Sequence, residues 1–316
     1  MTLLSTLLIG NEALTCQCGE MLLERGHAIA AVVTRHADVR DWALGRGLRV
    51  EAQHRDLAIR LADMRVDWLL SVANLHMVSA DILALARNGG VNFHDGPLPR
   101  YAGLNVPVWA MLNGEKRHGI SWHLMADGVD AGDLLQTRAF DISSDDTALT
   151  LNTRCFEAAV DSFPALLGQL ETGVLRRAPQ DLSQRQLYLR SDRPAAFGRI
   201  DFAKPVEDII RLVRALDHGR YWNPLTTAKI ATAATVFNVG AAHHAAGTGS
   251  PGQVLSVSDD GLVVACAGGA VRLSQLTCQQ KGLAISATAI KDKMLPALNR
   301  AEADQLTAEL GKLVPQ

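Results

Sequence analysis

The strongest constraint on the fold lies in the first 94 residues, where short apolar runs alternate with helical stretches that stop at glycine. Leu3 to Ile9 reads as a strand ending at Gly10. Leu14, Cys18, Met21 and Leu22 recur at helical spacing, and Gly26 closes that helix. "HAIAAVVT" (27–34) is a second apolar strand. "WALGRGLRV" reads as a short helix, a glycine turn and a third strand, and "DWLLSV" (67–72) is a fourth. Ser79 is placed to cap a helix over "ADILALAR", which Gly89-Gly90 stops, and Val91 starts a fifth strand. Strands alternating with helices predict an open, mainly parallel α/β sheet. An all-helical reading of the apolar runs is the alternative, and the regular glycine stops weigh against it. No G-x-G-x-x-G follows the first strand, so a dinucleotide fingerprint is absent.

A long helix is expected from about Thr147 to Thr172, with Phe156, Val160, Phe163, Leu167 and Leu170 as its apolar stripe and Gly173 at its end. From residue 174 the chain becomes charged, Gln-rich and broken by proline. "PVEDIIRLVRAL" is one amphipathic helix. After it, β-type runs separated by Asp260-Gly261 and Gly268-Gly269 predict a small β-rich domain, a partly open barrel, with little helix until "KMLPALN". The expected division is an α/β domain over residues 1–175, a connector over 176–198 and the β-rich domain over 199–316.

Composition bounds the function. The 316 residues are 48% hydrophobic and 20% charged with a formal net charge of -2, so nothing marks an overall polyanion binder. No apolar run approaches the roughly 20 residues that span a bilayer. "MTLLSTLLIGNEALT" has no basic region, so a signal peptide is not expected and a cytoplasmic location is. Cysteines at 16, 18, 155, 266 and 278 form no C-x-x-C pair, which predicts reduced thiols and no metal site.

The stretch "VNFHDGPLPRYAG" (91–103) puts two hydrogen-bonding side chains into an apolar strand where that strand stops. Side chains alternate along a strand, so Asn92 and His94 share one face while Val91 and Phe93 share the other. A carboxamide can donate to an oxygen that becomes negative, and an imidazole can carry a proton near neutral pH. That equipment suits acyl transfer without a covalent intermediate. A third group must orient the histidine. "MADGVDAGDLL" (125–135) offers Asp127, Asp130 and Asp133, and spacing does not choose among them. Read from residues alone, Asn92 and His94 serve as structural polars as readily as catalysts. His76, His118 and His123 lack ligand spacing and are expected to be structural or exposed, although Trp122-His123 is placed to reach the acceptor side of a cleft.

"NFHDGPLPRYAG", "VPVWAMLNGEKRHGISWHLM" and "GVDAGDLL" together resemble the formyltransferase family that uses N10-formyltetrahydrofolate, whose pattern is N-x-H, then L-P-x-Y-x-G, then D-x-G. These elements fall on Asn92 and His94, on Leu98 to Gly103, and on Asp130-Ala131-Gly132. The likeness resumes in "RIDFAKPVEDIIRLVRAL" and "GSPGQVLSVSDDGLVVACAGGAVRLSQL". It implies a Rossmann-like catalytic domain and a transferase that needs no metal. In its terms Asn92 stabilises an oxyanion, His94 moves protons and Asp130 holds His94. It also implies a pterin pocket along Leu75, His76 and Met77 and along Ala126, Asp127, Gly128 and Val129. The chain departs from it at Gly96, where many members carry serine, and at Pro97 and Ala102.

For the acceptor, two features weigh against tRNA. There is no room for a long basic insertion after the second strand, and residues 201–316 carry 11 Lys+Arg against 10 Asp+Glu. The motif style resembles formyltransferase modules of nonribosomal peptide and secondary-metabolite pathways, which implies an amino-bearing small molecule or a carrier-protein-bound aminoacyl unit as partner. Methionyl-tRNA or sugar-nucleotide formyl transfer, formyltetrahydrofolate hydrolysis and non-catalytic folate binding remain alternatives. The usual hydrolase has a small domain before the first strand, and this sequence starts at that strand.

Overall fold

The computed structural model describes residues 2–231 and 236–278. It divides into two compact units. The first runs to Val106 and includes Arg117–Ile142 and Asn152–Arg190; the second holds Pro107–Lys116, Ser143–Leu151 and the described chain from Ser191. The helix expected over "KMLPALN" lies outside the described residues.

The first unit opens with β1 (Ser5–Ile9), α1 (Ala13–Glu24), β2 (Ala28–Thr34), α2 (Ala37–Gly45) and β3 (Val50–Ala52). Next come α3 (Leu57–Arg60), β4 (Trp68–Ser71), α4 (Ala80–Leu83), β5 (Gly90–His94) and β6 (Ala102–Gly103). After α5 (Val106–Leu112), which belongs to the second unit from Pro107 on, follow β7 (Arg117–Leu124), β8 (Leu134–Asp141), α6 (Ala148–Thr172), which belongs to the first unit from Asn152 on, and β9 (Leu187–Tyr188). The seven-stranded sheet has the order β3-β2-β1-β4-β5-β7-β8. Strands β1 to β5 pair in parallel, while β7 is antiparallel to both β5 and β8. The expected mainly parallel α/β sheet is what forms.

Its apolar strands are apolar because both faces are covered. Leu8, Leu70, Val91 and Phe93 meet Leu14 and Cys18 of α1 and Phe163 and Leu167 of α6. Leu7, Ile9, Val33 and Leu69 pack on the other side against Leu57, Leu61 and Ile82. Trp122 of β7 is fully buried, with its ring 5.2 Å from both Phe93 and Phe163. Its indole N–H donates to Ser162 Oγ at 3.0 Å, so burial leaves no polar group unpaired there.

One expected helix is much shorter than its sequence pattern. "ADILALAR" is helical only over Ala80–Leu83, and the Ser79 side chain makes no capping bond. The competing interaction is a bridge to Val66. Val66 donates to the Leu85 carbonyl at 3.0 Å and accepts from Arg87 at 2.9 Å, which takes these backbone groups out of any helical ladder.

The second unit contains α7 (Val206–Ala215) and strands β10 (Lys229–Ala231), β11 (Val236–Ala245), β12 (Val254–Ser258), β13 (Gly261–Cys266) and β14 (Gly269–Cys278). These form one antiparallel sheet in the order β10-β11-β14-β13-β12, open among the described residues. Ile209 and Val213 of α7 join Phe237, Leu262, Val264 and Leu273 in its core, with Val108 of α5. Asp260-Gly261 and Gly268-Gly269 make the two hairpin turns expected of them. Among the described residues no helix is long and apolar enough to cross a membrane.

Candidate active site

Alternation along β5 turns Val91 and Phe93 toward α6 and sends Asn92 and His94 to the opposite face. Antiparallel pairing sets Asn92 opposite His123 and His94 opposite Ser121. Four polar side chains therefore share the sheet face that α6 does not cover.

Asp130 joins this cluster. Its Oδ2 lies 3.5 Å from His94 Nδ1 and accepts the Gly103 N–H at 2.8 Å; its Oδ1 lies 3.3 Å from His123 Nε2. Burial alone would raise the Asp130 carboxyl. The charge of His94, the bond to His123 and the Gly103 amide overcome that and hold it down at about 2. Asp130 is thus an anion at any physiological pH. Asp127 and Asp133, the two other carboxylates in the loop, form none of these pairs.

The histidine protons can be placed by their partners. His94 Nε2 meets the Tyr101 carbonyl oxygen at 2.5 Å, so that nitrogen donates and Nδ1 is left facing Asp130. His123 Nδ1 donates to the Leu124 carbonyl at 2.8 Å, and its Nε2 lies 3.2 Å from Asn92 Nδ2 and 3.3 Å from Asp130 Oδ1. The Asn92 amide has two N–H groups, and this contact uses one. His123 was expected to be structural or exposed. It is 3% exposed and ties Asn92 to Asp130. The outward phase of Ser121 and His123 against inward Ile120 and Trp122 was available in the sequence; the register with β5 was not.

The Asp130 loop has its own supports. Asp130 sits at φ 51°, a left-handed conformation that Asp tolerates better than most residues. A Cβ on Gly132 would lie 1.9 Å from the Leu124 carbonyl oxygen, so the D-x-G spacing needs glycine there. Gln180 Nε2 donates to the carbonyls of Asp130 at 2.9 Å and Gly132 at 2.6 Å, and Arg185 donates to that of Val129. Leu187 and Tyr188 pair with Ala102 and Gly103, and the Tyr188 ring stacks on Tyr101 at 5.7 Å. The stretch from 176 to 190, read in sequence as the start of a connector, packs on both motif loops.

Gly96 explains a departure from the family pattern. A Cβ there would lie 2.7 Å from the Tyr101 oxygen and from Val106 Cγ2, and 2.8 Å from His94 Nε2. The His94–Tyr101 bond occupies the place a serine would need.

The segments expected to hold a pterin border this cluster. Ser71 pairs with Asn92, and the chain then turns at Ala73 (φ 49°) into Leu75, His76 and Met77. Asn74 braces that turn through its bonds to Ser71 Oγ and to His76 N and O. Leu75 and Met77 are 67% and 76% exposed and form an apolar lip. Ala126, Asp127, Gly128 and Val129 lead directly into Asp130. Leu75 and His76 also line a pocket of about 280 Å³ with Asn11, Glu12, Arg35, His36 and Ala73. Among the described residues no group of His, Cys, Asp and Glu is placed to hold a metal.

Comparison with known proteins places both units of the chain in one family. Residues 27–167 match the family described as formyl transferase, and residues 194–291 match formyl transferase, C-terminal domain. The chain belongs to the formyl transferase family. That is a family of one-carbon transfer enzymes, and its two parts fall on the α/β and β-rich regions of this chain. HypX from Aquifex aeolicus, solved with tetrahydrofolic acid, is 18% identical with a TM-score of 0.66 over 93% of this chain and 48% of that one. The chain thus spans about half the length of HypX. An N-formyltransferase from Helicobacter canadensis, solved with folinic acid and dTDP-3-aminofucose, is 17% identical with a TM-score of 0.68 over 87% of this chain and 100% of that one. WlaRD, a sugar 3N-formyl transferase, is 15% identical with a TM-score of 0.67 over 89% of this chain and 99% of that one. At these identities the likeness establishes the formyl transferase fold.

Proposed function

We propose that this chain transfers a formyl group from N10-formyltetrahydrofolate to an amino group of a small or carrier-bound acceptor, with Asn92, His94 and Asp130 as its catalytic residues. The observation that carries this reading is the shared carboxylate of Asp130, which faces His94 with one oxygen and His123 with the other. The second N–H of Asn92 donates to the formyl oxygen as it becomes negative. His94 Nδ1 takes a proton from the attacking amine and returns it to the departing nitrogen, while Asp130 offsets the ring's positive charge. Each such group contributes on the order of 10²-fold or more. The donor supplies the one-carbon unit. Leu75 and Met77 form an apolar lip suited to a flat ring, and Ala126 to Val129 offer backbone groups beside it. Residues 1–175 carry the chemistry, with Gln180 and Arg185 bracing the Asp130 loop, and 199–316 help to select the acceptor.

The ligands of the solved neighbours support the donor, since HypX was solved with tetrahydrofolic acid and the Helicobacter canadensis enzyme with folinic acid. The dTDP-3-aminofucose in the latter supports a small amino-bearing acceptor. The near-neutral balance of residues 201–316 argues against tRNA, whose phosphates would call for a basic surface and a steep salt dependence.

Calorimetry with 5-formyltetrahydrofolate tests the donor site, and absence of binding at millimolar ligand would end the proposal. Tetrahydrofolate release is then followed with a sugar-nucleotide amine, free amino acids, an aminoacyl carrier protein and methionyl-tRNA in parallel. Release driven by methionyl-tRNA alone would replace the acceptor class, and formate release without any amine would favour the hydrolase. Asn92→Ala, His94→Ala and Asp130→Ala each lower turnover by orders of magnitude. The triple variant loses far less than the product of the three, because they share one transition state.

A further inference from the structure

Two carboxylates flank His94 Nδ1, and they are not equivalent. Asp130 Oδ2, at 3.5 Å, also accepts from Gly103, and Oδ1 faces His123. Asp95 Oδ1 lies 4.0 Å from the same nitrogen, and its side chain is 28% exposed. What holds Asp95 is its backbone. Its carbonyl accepts from His118 Nε2 at 2.8 Å and from Cys155 Sγ at 3.8 Å, which fixes the residue through its backbone.

His118, which faces Asp95 from β7, is kept neutral by burial and so does not offset the Asp95 charge. The partly exposed Asp95 carboxylate, beside the His94 nitrogen, is placed to meet a cation arriving at that nitrogen. An amine in neutral water is largely an ammonium ion, and it must lose one proton before it can attack.

We infer that Asp95 receives the acceptor as its ammonium ion and takes the first of its protons. This rests on the transfer reading above and names what that site recognises. The proton count closes. R–NH₃⁺ gives one proton to the Asp95 carboxylate, and the neutral amine forms the new C–N bond to the formyl carbon. The second proton passes through His94 to the folate nitrogen as the old C–N bond breaks. Asp95 then releases its proton to water, leaving a formamide and tetrahydrofolate. Burial raises the Asp95 carboxyl against the opposing pull of His94, and a more basic carboxylate is a better proton acceptor. The role makes Asp95 a selector for basic amines over neutral groups of the same shape.

The test uses the full chain saturated with 5-formyltetrahydrofolate, with ethylammonium chloride as probe and ethanol as its neutral counterpart, each titrated by ligand-observed NMR. The wild type should bind ethylammonium and not ethanol. Asp95→Asn should weaken ethylammonium by about tenfold or more, as expected for loss of a partly desolvated charge pair, with folate affinity unchanged. Asp95→Ser reads the same property if Asn disturbs folding, and Asp95→Glu should restore part of the binding. Equal ethylammonium affinity in the wild type and both neutral variants would overturn the assignment, as would no ethylammonium binding by the wild type. Failure of 5-formyltetrahydrofolate to bind, with Asp95-dependent ammonium binding intact in the free chain, would instead remove the transfer reading.

Discussion

Gln180 holds Asp130 by its backbone: the Gln180 side-chain amide donates to the Asp130 carbonyl at 2.9 Å across 50 positions of sequence. The same amide reaches Gly132 at 2.6 Å, so one side chain braces both ends of the turn that carries the central carboxylate. Gln180→Ala should lower kcat by about 10- to 100-fold through misplacement of Asp130, with the acceptor KM less affected. Steady-state kinetics beside a thermal melt checks this. An unchanged kcat would show that the left-handed Asp130 backbone holds itself.

His123 gives the second prediction. Its Nε2 is the partner that turns the Asn92 amide, at 3.2 Å. His123→Ala leaves that amide free to rotate and should lower kcat by about 10²-fold. His123→Gln can place an acceptor near the same point and should recover part of the loss. Full activity in the alanine variant would make His123 a packing residue.

At Gly96 the prediction is steric. Gly96→Ser forces a Cβ into the 2.7 Å space beside the Tyr101 carbonyl, a backbone atom that cannot swing away. The variant should lose about 1–3 kcal/mol in denaturant unfolding. It should also lose activity beyond what the lost stability accounts for, because the His94–Tyr101 bond is displaced.

His118 should shape acid stability. Burial first, then the neighbouring His94 charge, pushes its imidazole down from 6.5 to about 4, against the opposing bond to the Asp95 carbonyl. Its Nδ1 has no partner among the described residues. A folded-state value below the unfolded one means the unfolded chain binds the extra proton more readily. Stability from this site is complete above about pH 6.5 and is lost as pH falls toward 4, by up to about 3 kcal/mol. His118→Phe should flatten that slope between pH 6.5 and 4 in urea unfolding at stepped pH. An unaltered slope would place the titrating group elsewhere.

Much of this molecule was legible as local pattern. Period-two alternation put Asn92 and His94 on one face, and glycine stops marked the strand and helix order, because both follow from backbone geometry along a single segment. The N-x-H, L-P-x-Y-x-G and D-x-G elements singled out Asn92, His94 and Asp130 before any fold was known. The tertiary structure decided what depends on pairing between segments far apart in sequence. Register across β5 and β7 set His123 against Asn92. The return of Leu187 and Tyr188 onto Ala102 and Gly103 brought Gln180 and Arg185 to the Asp130 loop. A bridge from Val66 to Ala86 cut short a helix that local propensity favoured. Propensity acts within a few residues, whereas register, close approach and shared burial come from the whole packed sheet, which is where the partners of Asp130 were chosen.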